Sequence, residues 1–255
     1  MSDESNGNRR DFFRLSGLAS AGLILTACGG NNAASNSQGN KQGLENKEAS
    51  EKKDENGPAE VTANEDLMRE HGVLRRALLI YSGVVPKLRA SAATVSADAL
   101  QKTAQLFRTF GEEYHEKQLE EIYIFPVVKK AGGPAAAYVD ILNAQHQRGR
   151  EITNYIIGVT QGGKLTGEPL AKALESMVLM YRNHAAREDT IVFPAWKKTM
   201  TAKDYDEIGD RFEDIEQKMF GHDGFEDAAR QIGEIESSLG FADLAQFTAP
   251  PPPSV

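Results

Sequence analysis

Two segments of the chain combine a histidine, an acidic residue and a closing Phe-Pro pair. The later segment, HAAREDTIVFP at 184–194, places His184 and Glu188 four residues apart. In an α-helix this spacing puts both side chains on one face, about 40° apart. A neutral imidazole and a carboxylate arranged in this way form half of a site for a divalent transition metal. A second helix of the same kind, facing the first, would complete the site.

The earlier segment, HEKQLEEIYIFP at 115–126, repeats the pattern with one extra residue. Counted back from the proline, Glu120 aligns with Glu188, but His115 precedes Glu120 by five residues. Five residues turn a regular α-helix by about 140°, which separates the two side chains. Either a π-helical bulge restores the common face, or Glu116 replaces Glu120 as a ligand. We favour Glu120 and keep Glu116 as a candidate bridging ligand.

Composition and charge narrow the class of protein. The 255 residues allow one or two domains, and 40% hydrophobic with 26% charged residues is typical of a globular protein. The net charge of −8, without a basic stripe, argues against a nucleic-acid partner. Cys28 is the only cysteine, so the folded part has neither disulfide nor thiolate chemistry. Since the chain has no nucleotide-binding loop or second cofactor motif, no catalytic residue is assigned.

Residues 1–28 are predicted to be a signal peptide. Arg9 and Arg10, followed by Asp-Phe-Phe, resemble a twin-arginine export signal, and the apolar stretch at 15–27 is too short to span a bilayer. The stretch ends in LTAC at 25–28, which looks like a lipobox and would make Cys28 the lipidated N-terminus. We therefore expect a bacterial protein that is exported and anchored by lipid to the outer face of the cell envelope, in the periplasm or at the cell surface.

The rest of the chain divides by composition and periodicity. Residues 29–61 contain no aromatic side chain and are expected to be a flexible polar linker. Residues 62–198 contain four long amphipathic segments with short connections, which predict an all-α, antiparallel up-down four-helix bundle. Two accessory helices are predicted within 199–247, followed by a Pro-rich tail at 248–255.

Each predicted bundle helix carries one histidine, and the second and fourth also carry the aligned glutamates. This pattern resembles the hemerythrin-like (HHE cation-binding) family, most closely in REHGVLRR at 69–76, AQHQRGR at 144–150 and HAAREDTIVFP at 184–194. The resemblance covers residues 62–198 and implies two iron ions, bridged by two carboxylates and an oxygen species. Transferred by position, it implies four terminal ligands, His71, His115, His146 and His184, and two bridges, Glu120 and Glu188. Manganese and zinc are also compatible with imidazole and carboxylate ligands.

One departure from the family bears on function. Oxygen-carrying members have a second histidine on the third helix, where this chain has Arg150. Either Glu116 fills the missing position, or solvent or a substrate occupies it.

The sequence is compatible with three alternative functions. The chain binds O2 or NO as a sensor, scavenger or carrier; it is a di-iron enzyme that reduces peroxide or NO or oxidises a small substrate; or its metal is structural and its acidic outer helices dock a partner protein. We rank binding of a small diatomic ligand first, because the sequence has no dedicated general base.

Overall fold

The computed structural model describes residues 61–253 except Lys164. Predictions for the signal peptide, for Cys28 and for nearly all of the linker therefore lie outside the described residues. Within the described part the chain forms no strand and six main helices, which confirms the all-α prediction. These are α1 (Ala63–Ser91), α2 (residues 97–131), α3 (Gly133–Gln161), α4 (residues 167–197), α5 (Ala202–Phe220) and α6 (Gly224–Ser238).

The first four helices form the bundle. α1 packs most extensively along α4, and α2 packs along α3. Large apolar side chains with no more than 1% exposure fill the interior, among them Tyr81, Phe107, Leu174 and Met177. No helix in the described ranges is long and apolar enough to cross a membrane.

Helix boundaries follow local sequence signals. The side chain of Thr62 accepts a hydrogen bond from the backbone N–H of Glu65 at the start of α1. Thr201 and Asp204 form a reciprocal capping box at the start of α5. At the end of α2, Gly132 has a φ of 77°, a conformation that a glycine adopts without strain.

Two π-helical stretches interrupt the regular geometry. α2 is π-helical over Phe107–Ile124, and α4 is π-helical over Glu188–Val192. Both stretches end at a Phe-Pro pair, where Phe125 donates its N–H to the carbonyl of Glu120 and Phe193 to that of Glu188. The following proline has no N–H, so the helix changes back from π to α register where one donor is already missing.

The accessory helices pack on the outside of the bundle, where α6 contacts α1 and α2. Arg76 on α1 holds α6 through Glu236, with nitrogen–oxygen distances of 2.9 and 2.5 Å. The fully buried ring of Trp196, at the end of α4, stacks on Phe212 of α5 with centroids 5.7 Å apart.

Candidate metal centre

The four histidines singled out in the sequence lie in the bundle interior, one on each of α1 to α4. All are at most 3% exposed, and their rings form two pairs. The ring centroids of His71 and His115 are 4.6 Å apart, and those of His146 and His184 are 4.8 Å apart. Helices α1 and α2 therefore supply one pair of imidazoles, and α3 and α4 supply the other.

Glu120 presents one carboxylate oxygen to each histidine pair. Its Oε1 lies 3.3 Å from Nε2 of His115, and its Oε2 lies 3.3 Å from Nε2 of His146. The five-residue spacing between His115 and Glu120 lies within the long π-helical stretch of α2, where i to i+5 hydrogen bonds bring such residues onto one face. Of the two alternatives that this spacing left open, the structure shows the π-helical one.

Glu188 has the same arrangement on α4. Its Oε1 lies 2.9 Å from Nε2 of His184, four residues earlier on the same helix, and its Oε2 lies 3.5 Å from Nε2 of His71. Two groups of donor atoms result, and each contains one oxygen from either glutamate. We name them the α1–α2 position, with His71 and His115, and the α3–α4 position, with His146 and His184.

The spacing of these atoms fits a coordination shell. With metal–ligand bonds of about 2.0–2.2 Å, neighbouring ligand atoms lie roughly 3 Å apart. Nε2 of His146 and Nε2 of His184 face each other at 3.0 Å, and the donor atoms of Glu120, His146, His184 and Glu188 all lie within 4.8 Å of one another. Donor atoms of His71, His115 and Glu120 form a second group of this size.

Several central atoms are buried without a hydrogen-bond partner in the described chain. They are both carboxylate oxygens of Glu120, both of Glu188, and Nε2 of His115. A buried carboxylate without compensation costs several kcal/mol, so a folded chain that retains two needs positive charge between them. Imidazole nitrogens and carboxylate oxygens are suitable ligands for iron, manganese or zinc. The residues present therefore fit a pair of divalent cations.

Protonation provides the alternative positive charge. Burial would lower the pKa of His115 and of His146, but neighbouring glutamates outweigh it and hold each pKa well above its usual value. Burial would likewise raise the pKa of Glu120, but the two histidines hold it well below its usual range. Since protons and a divalent cation compete for the same imidazole nitrogens, cation binding must release protons.

Each of the four histidines also donates its Nδ1–H to a side chain on a neighbouring helix. The four acceptors close a ring around the bundle: Glu70 of α1 binds His115, Glu121 of α2 binds His146, Gln145 of α3 binds His184, and Asp189 of α4 binds His71. Since Nδ1 carries the proton, Nε2 of each ring turns its lone pair toward the centre. The ring of hydrogen bonds therefore fixes both the orientation and the tautomer that a metal ligand needs.

Sequence reasoning missed all four acceptors. Each stands directly beside a central residue: Glu70 before His71, Gln145 before His146, Glu121 after Glu120 and Asp189 after Glu188. This adjacency of a polar residue to each central residue is the one signal in the sequence that points to them.

The Phe-Pro pairs contribute to the site as well. Phe125 stacks on His146 with ring centroids 5.3 Å apart, and Phe193 stacks on His71 at 5.4 Å. Each phenylalanine covers the histidine that is bound by an acidic residue of its own segment, Glu121 or Asp189. The repeated motif therefore orients an imidazole on another helix in addition to supplying a central glutamate.

Glu116, the other candidate ligand, is engaged differently from Glu120. Its Oε1 accepts a hydrogen bond from the Tyr181 hydroxyl at 2.7 Å, and its Oε2 accepts one from Arg150 at 3.3 Å. Gly149 makes room for the phenol, because a Cβ at this position would lie 1.8 Å from the Tyr181 oxygen. The structure groups Glu116 with Glu121 and His146, beside the central donor atoms.

A small cavity of about 10 Å³ adjoins both histidine pairs. Its wall combines central residues with the apolar side chains of Leu74, Leu78 and Ala185, and with the side chains of Tyr181 and Glu116. A volume of this size holds about one water molecule. The cavity therefore admits only a very small ligand next to the centre.

Fold and site together define a class: a four-helix bundle with a buried histidine–carboxylate site suited to metal cations. Residues 62–196 match the model of the hemerythrin HHE cation-binding domain. The chain belongs to this family, as the resemblance of its motifs implies.

Three similar proteins carry the description uncharacterized protein. They are Mb2018 of Mycobacterium bovis, MT2051 of Mycobacterium tuberculosis strain CDC 1551 and Rv1995 of Mycobacterium tuberculosis strain H37Rv. Each is 43% identical to this chain over 192 residues, which cover 74% of this chain and 74% of the relative. No solved structure is significantly similar to the chain.

Proposed function

We propose that the protein holds two iron ions and binds O2 or NO reversibly, as a sensor, scavenger or carrier. The observation that carries the proposal is the set of four buried carboxylate oxygens of Glu120 and Glu188, which have no hydrogen-bond partner in the described chain. Each oxygen faces an imidazole nitrogen at 2.9–3.5 Å. Under the proposal both glutamates bridge, and His71, His115, His146 and His184 are the terminal ligands.

Iron is the metal we propose, in keeping with membership of the family. At the α3–α4 position four protein donor atoms lie within 4.8 Å of one another, and at the α1–α2 position three do, with Oε2 of Glu188 3.5 Å from Nε2 of His71. Non-haem iron sites commonly keep further positions open for small molecules. When bound, iron supplies one-electron redox chemistry and a place for a diatomic ligand. The chain itself supplies orientation through its Nδ1 hydrogen bonds and lines the adjoining cavity with the apolar side chains of Leu74 and Leu78.

The size and chemistry of the adjoining cavity support a diatomic ligand. About 10 Å³ next to three of the four histidines excludes an organic substrate of ordinary size. Tyr181, at the cavity wall, has its pKa raised well above 10, first by burial and then by the nearby carboxylates of Glu116 and Glu112. The phenol therefore keeps its proton, which it donates to Glu116 at the cavity wall.

The test is anaerobic loading with Fe(II), followed by exposure to O2 or NO under optical and Mössbauer spectroscopy. We expect two iron ions per chain and a spectral change that reverses when the gas is removed. The double variant Glu120→Gln with Glu188→Gln is the control and should bind neither iron nor gas. The proposal would be ruled out if the purified protein took up no iron, or if the spectrum of the iron-loaded protein did not change on exposure to O2 or to NO.

A second candidate is an enzyme that reduces peroxide or NO. The observation in its favour is the Tyr181–Glu116 hydrogen bond of 2.7 Å beside the cavity, since reducing peroxide to water consumes two protons as well as two electrons. Catalytic turnover of hydrogen peroxide or NO with an added electron donor, slowed by Tyr181→Phe, would favour this function. Iron uptake without a response to any of these molecules would instead indicate a structural metal.

A further inference from the structure

The site has an approximate two-fold repeat. The hairpin of α1 and α2 corresponds to that of α3 and α4, so His71 corresponds to His146 and His115 to His184. The side chains that accept the Nδ1 hydrogen bonds also correspond. Asp189 and Glu121 each directly follow a central glutamate, and each accepts the Nδ1–H of the first histidine of the other hairpin. The neighbouring arginine side chains correspond as well. Arg75 follows His71 by four residues and contacts Asp189, and Arg150 follows His146 by four residues and contacts Glu121.

The repeat is broken at one hydrogen-bond acceptor. Glu70 precedes His71 and accepts the Nδ1–H of His115, whereas Gln145 precedes His146 and accepts the Nδ1–H of His184. Three of the four central histidines therefore bond a carboxylate, and His184 alone bonds a neutral amide.

The contact lengths divide by cation position and not by the type of acceptor. At the α1–α2 position both Nδ1 contacts are 2.6 Å long, to Asp189 and Glu70. At the α3–α4 position both are 2.9 Å, to Glu121 and Gln145. Short contacts to a carboxylate are charge-assisted and are the stronger hydrogen bonds.

Glu116 accepts no hydrogen bond from a central histidine. Glu116 follows His115, and the corresponding residue after His184 is Ala185. The carboxylate of Glu116 therefore has no counterpart in the hairpin of α3 and α4. Its oxygens bond Tyr181 and Arg150, and the nearer one lies 3.9 Å from Nδ1 of His146, beyond hydrogen-bond distance.

A carboxylate that accepts the Nδ1–H makes an imidazole a better electron donor through Nε2. Loss of such an outer partner typically reduces metal affinity about 10–100-fold. Both histidines of the α1–α2 position have this support, and one histidine of the α3–α4 position has it.

We propose that the two cation positions are unequal. The α1–α2 position binds a divalent cation more tightly and fills first, and the α3–α4 position is exchangeable because Gln145 supports His184 through a neutral amide. This inference rests on the two-cation site proposed above, and it adds Gln145 as the positioning residue that sets the difference.

The first experiment locates the first cation. The full chain, stripped of metal, is titrated with anaerobic Fe(II) in a calorimeter, and crystals grown with one equivalent are examined by anomalous diffraction at the iron edge. We expect two binding events, with the first iron beside His71 and His115. Equal occupancy, or iron first at His146 and His184, would overturn the inference while leaving the two-iron site intact. Binding of a single iron, or of none, would instead defeat the proposed function itself.

Variants then test whether Gln145 causes the difference in affinity between the two positions. Gln145→Glu should tighten the weaker binding event about 10-fold or more, bringing the two affinities together. Glu70→Gln should weaken the tighter event by about 10–100-fold. Gln147→Glu is the matched control, because it places the same charge on the same helix at an exposed residue and should leave both affinities unchanged. Affinities that do not change in Gln145→Glu and Glu70→Gln would refute the role of Gln145.

Discussion

At the scale of single residues, the centre depends on which atom of each side chain carries a proton. His184 shows the requirement: its Nδ1–H bonds Gln145, and its Nε2 lies 2.9 Å from Glu188. Because Gln145 holds the Nδ1–H, the ring cannot turn without losing that hydrogen bond. The imidazole is therefore oriented before any cation arrives, which lowers the entropy cost of binding.

Replacement of His184 tests the assignment of the α3–α4 position. His184→Ala removes one imidazole ligand and leaves Glu188 buried without the cation that it needs, and an uncompensated buried charge costs about 3–5 kcal/mol. We expect iron content below two ions per chain and a loss of unfolding free energy of roughly that size. Metal analysis and urea unfolding measure the two effects. His222→Ala is the control, because this side chain is 55% exposed and should change neither quantity. Wild-type iron content in His184→Ala would contradict the assignment.

Glu112 makes folding stability depend on pH. Burial raises its pKa to about 7, despite the opposing hydrogen bond from Thr153 and the charge of Arg108. The folded state therefore holds a proton that the unfolded chain releases near pH 4.5, and folding loses stability as pH rises from there toward 7. The loss amounts to about 3 kcal/mol.

The measurement compares urea unfolding of Glu112→Gln and wild type at pH 5 and at pH 8. Relative to the variant, wild type should be about 2.5 kcal/mol less stable at pH 8 than at pH 5, since glutamine cannot ionise and the unfolded chain has already released most of this proton at pH 5. Glu113→Gln, at the exposed neighbouring residue, should show no such difference. A constant gap between Glu112→Gln and wild type at both pH values would refute the raised pKa.

At the scale of helices, the close approach of α3 and α4 depends on Gly149. A Cβ at this residue would meet the Tyr181 oxygen at 1.8 Å, so Gly149→Ala must displace the phenol from Glu116. We expect a loss of about 1–3 kcal/mol in unfolding free energy. Gly158→Ala, on the same helix, adds a methyl group that meets no atom within 4 Å and should instead gain about 0.5–1 kcal/mol. If urea unfolding gives both variants the same stability, Gly149 has no role in seating Tyr181.

The periodicity of the sequence was sufficient to predict the helices of the bundle. It was not sufficient to predict where their hydrogen bonding changes from α to π. Apolar spacing and caps such as Thr62 and Thr201 predict the helices and their starts. The five-residue gap between His115 and Glu120 predicts a π turn, but not a π-helical stretch of 18 residues. The second stretch, at Glu188–Val192, gave no signal, because the four-residue gap before Glu188 fits an ordinary α-helix.

The hydrogen bonds between helices were also beyond sequence reasoning. Glu70 precedes His71 in the chain yet bonds His115 on α2. Which neighbouring helix such a residue faces depends on the rotation of both helices about their axes, and that rotation is set by packing throughout the core. Gln145 and Asp189 were missed for the same reason.

At the scale of the whole molecule, the centre connects all four bundle helices. Each helix contributes one imidazole, and each Nδ1 hydrogen bond joins one helix to another. Cations bound between Glu120 and Glu188 would therefore cross-link the bundle and stabilise the folded chain by mass action. The accessory helices lie outside this arrangement, and Arg76 joins α6 to it through Glu236.

The expected location of the protein in the cell depends on residues outside the described part of the chain. We propose that Cys28 is lipidated and anchors the protein to the membrane, because LTAC at 25–28 resembles a lipobox. Each buried CH2 of an acyl chain contributes about 0.8 kcal/mol to membrane attachment, so two or more chains hold a protein stably. Wild type expressed in a bacterial host should enter the membrane fraction and incorporate labelled palmitate.

Cys28→Ala should abolish the palmitate label and move the protein out of the membrane fraction. Replacing Arg9 and Arg10 together by lysine tests export separately, because it weakens a twin-arginine signal while keeping the charge and the cysteine. That variant should accumulate inside the cell, uncleaved. Membrane association that survives in Cys28→Ala would show that another part of the chain or a partner provides the attachment, and the lipid-anchor proposal would then be wrong.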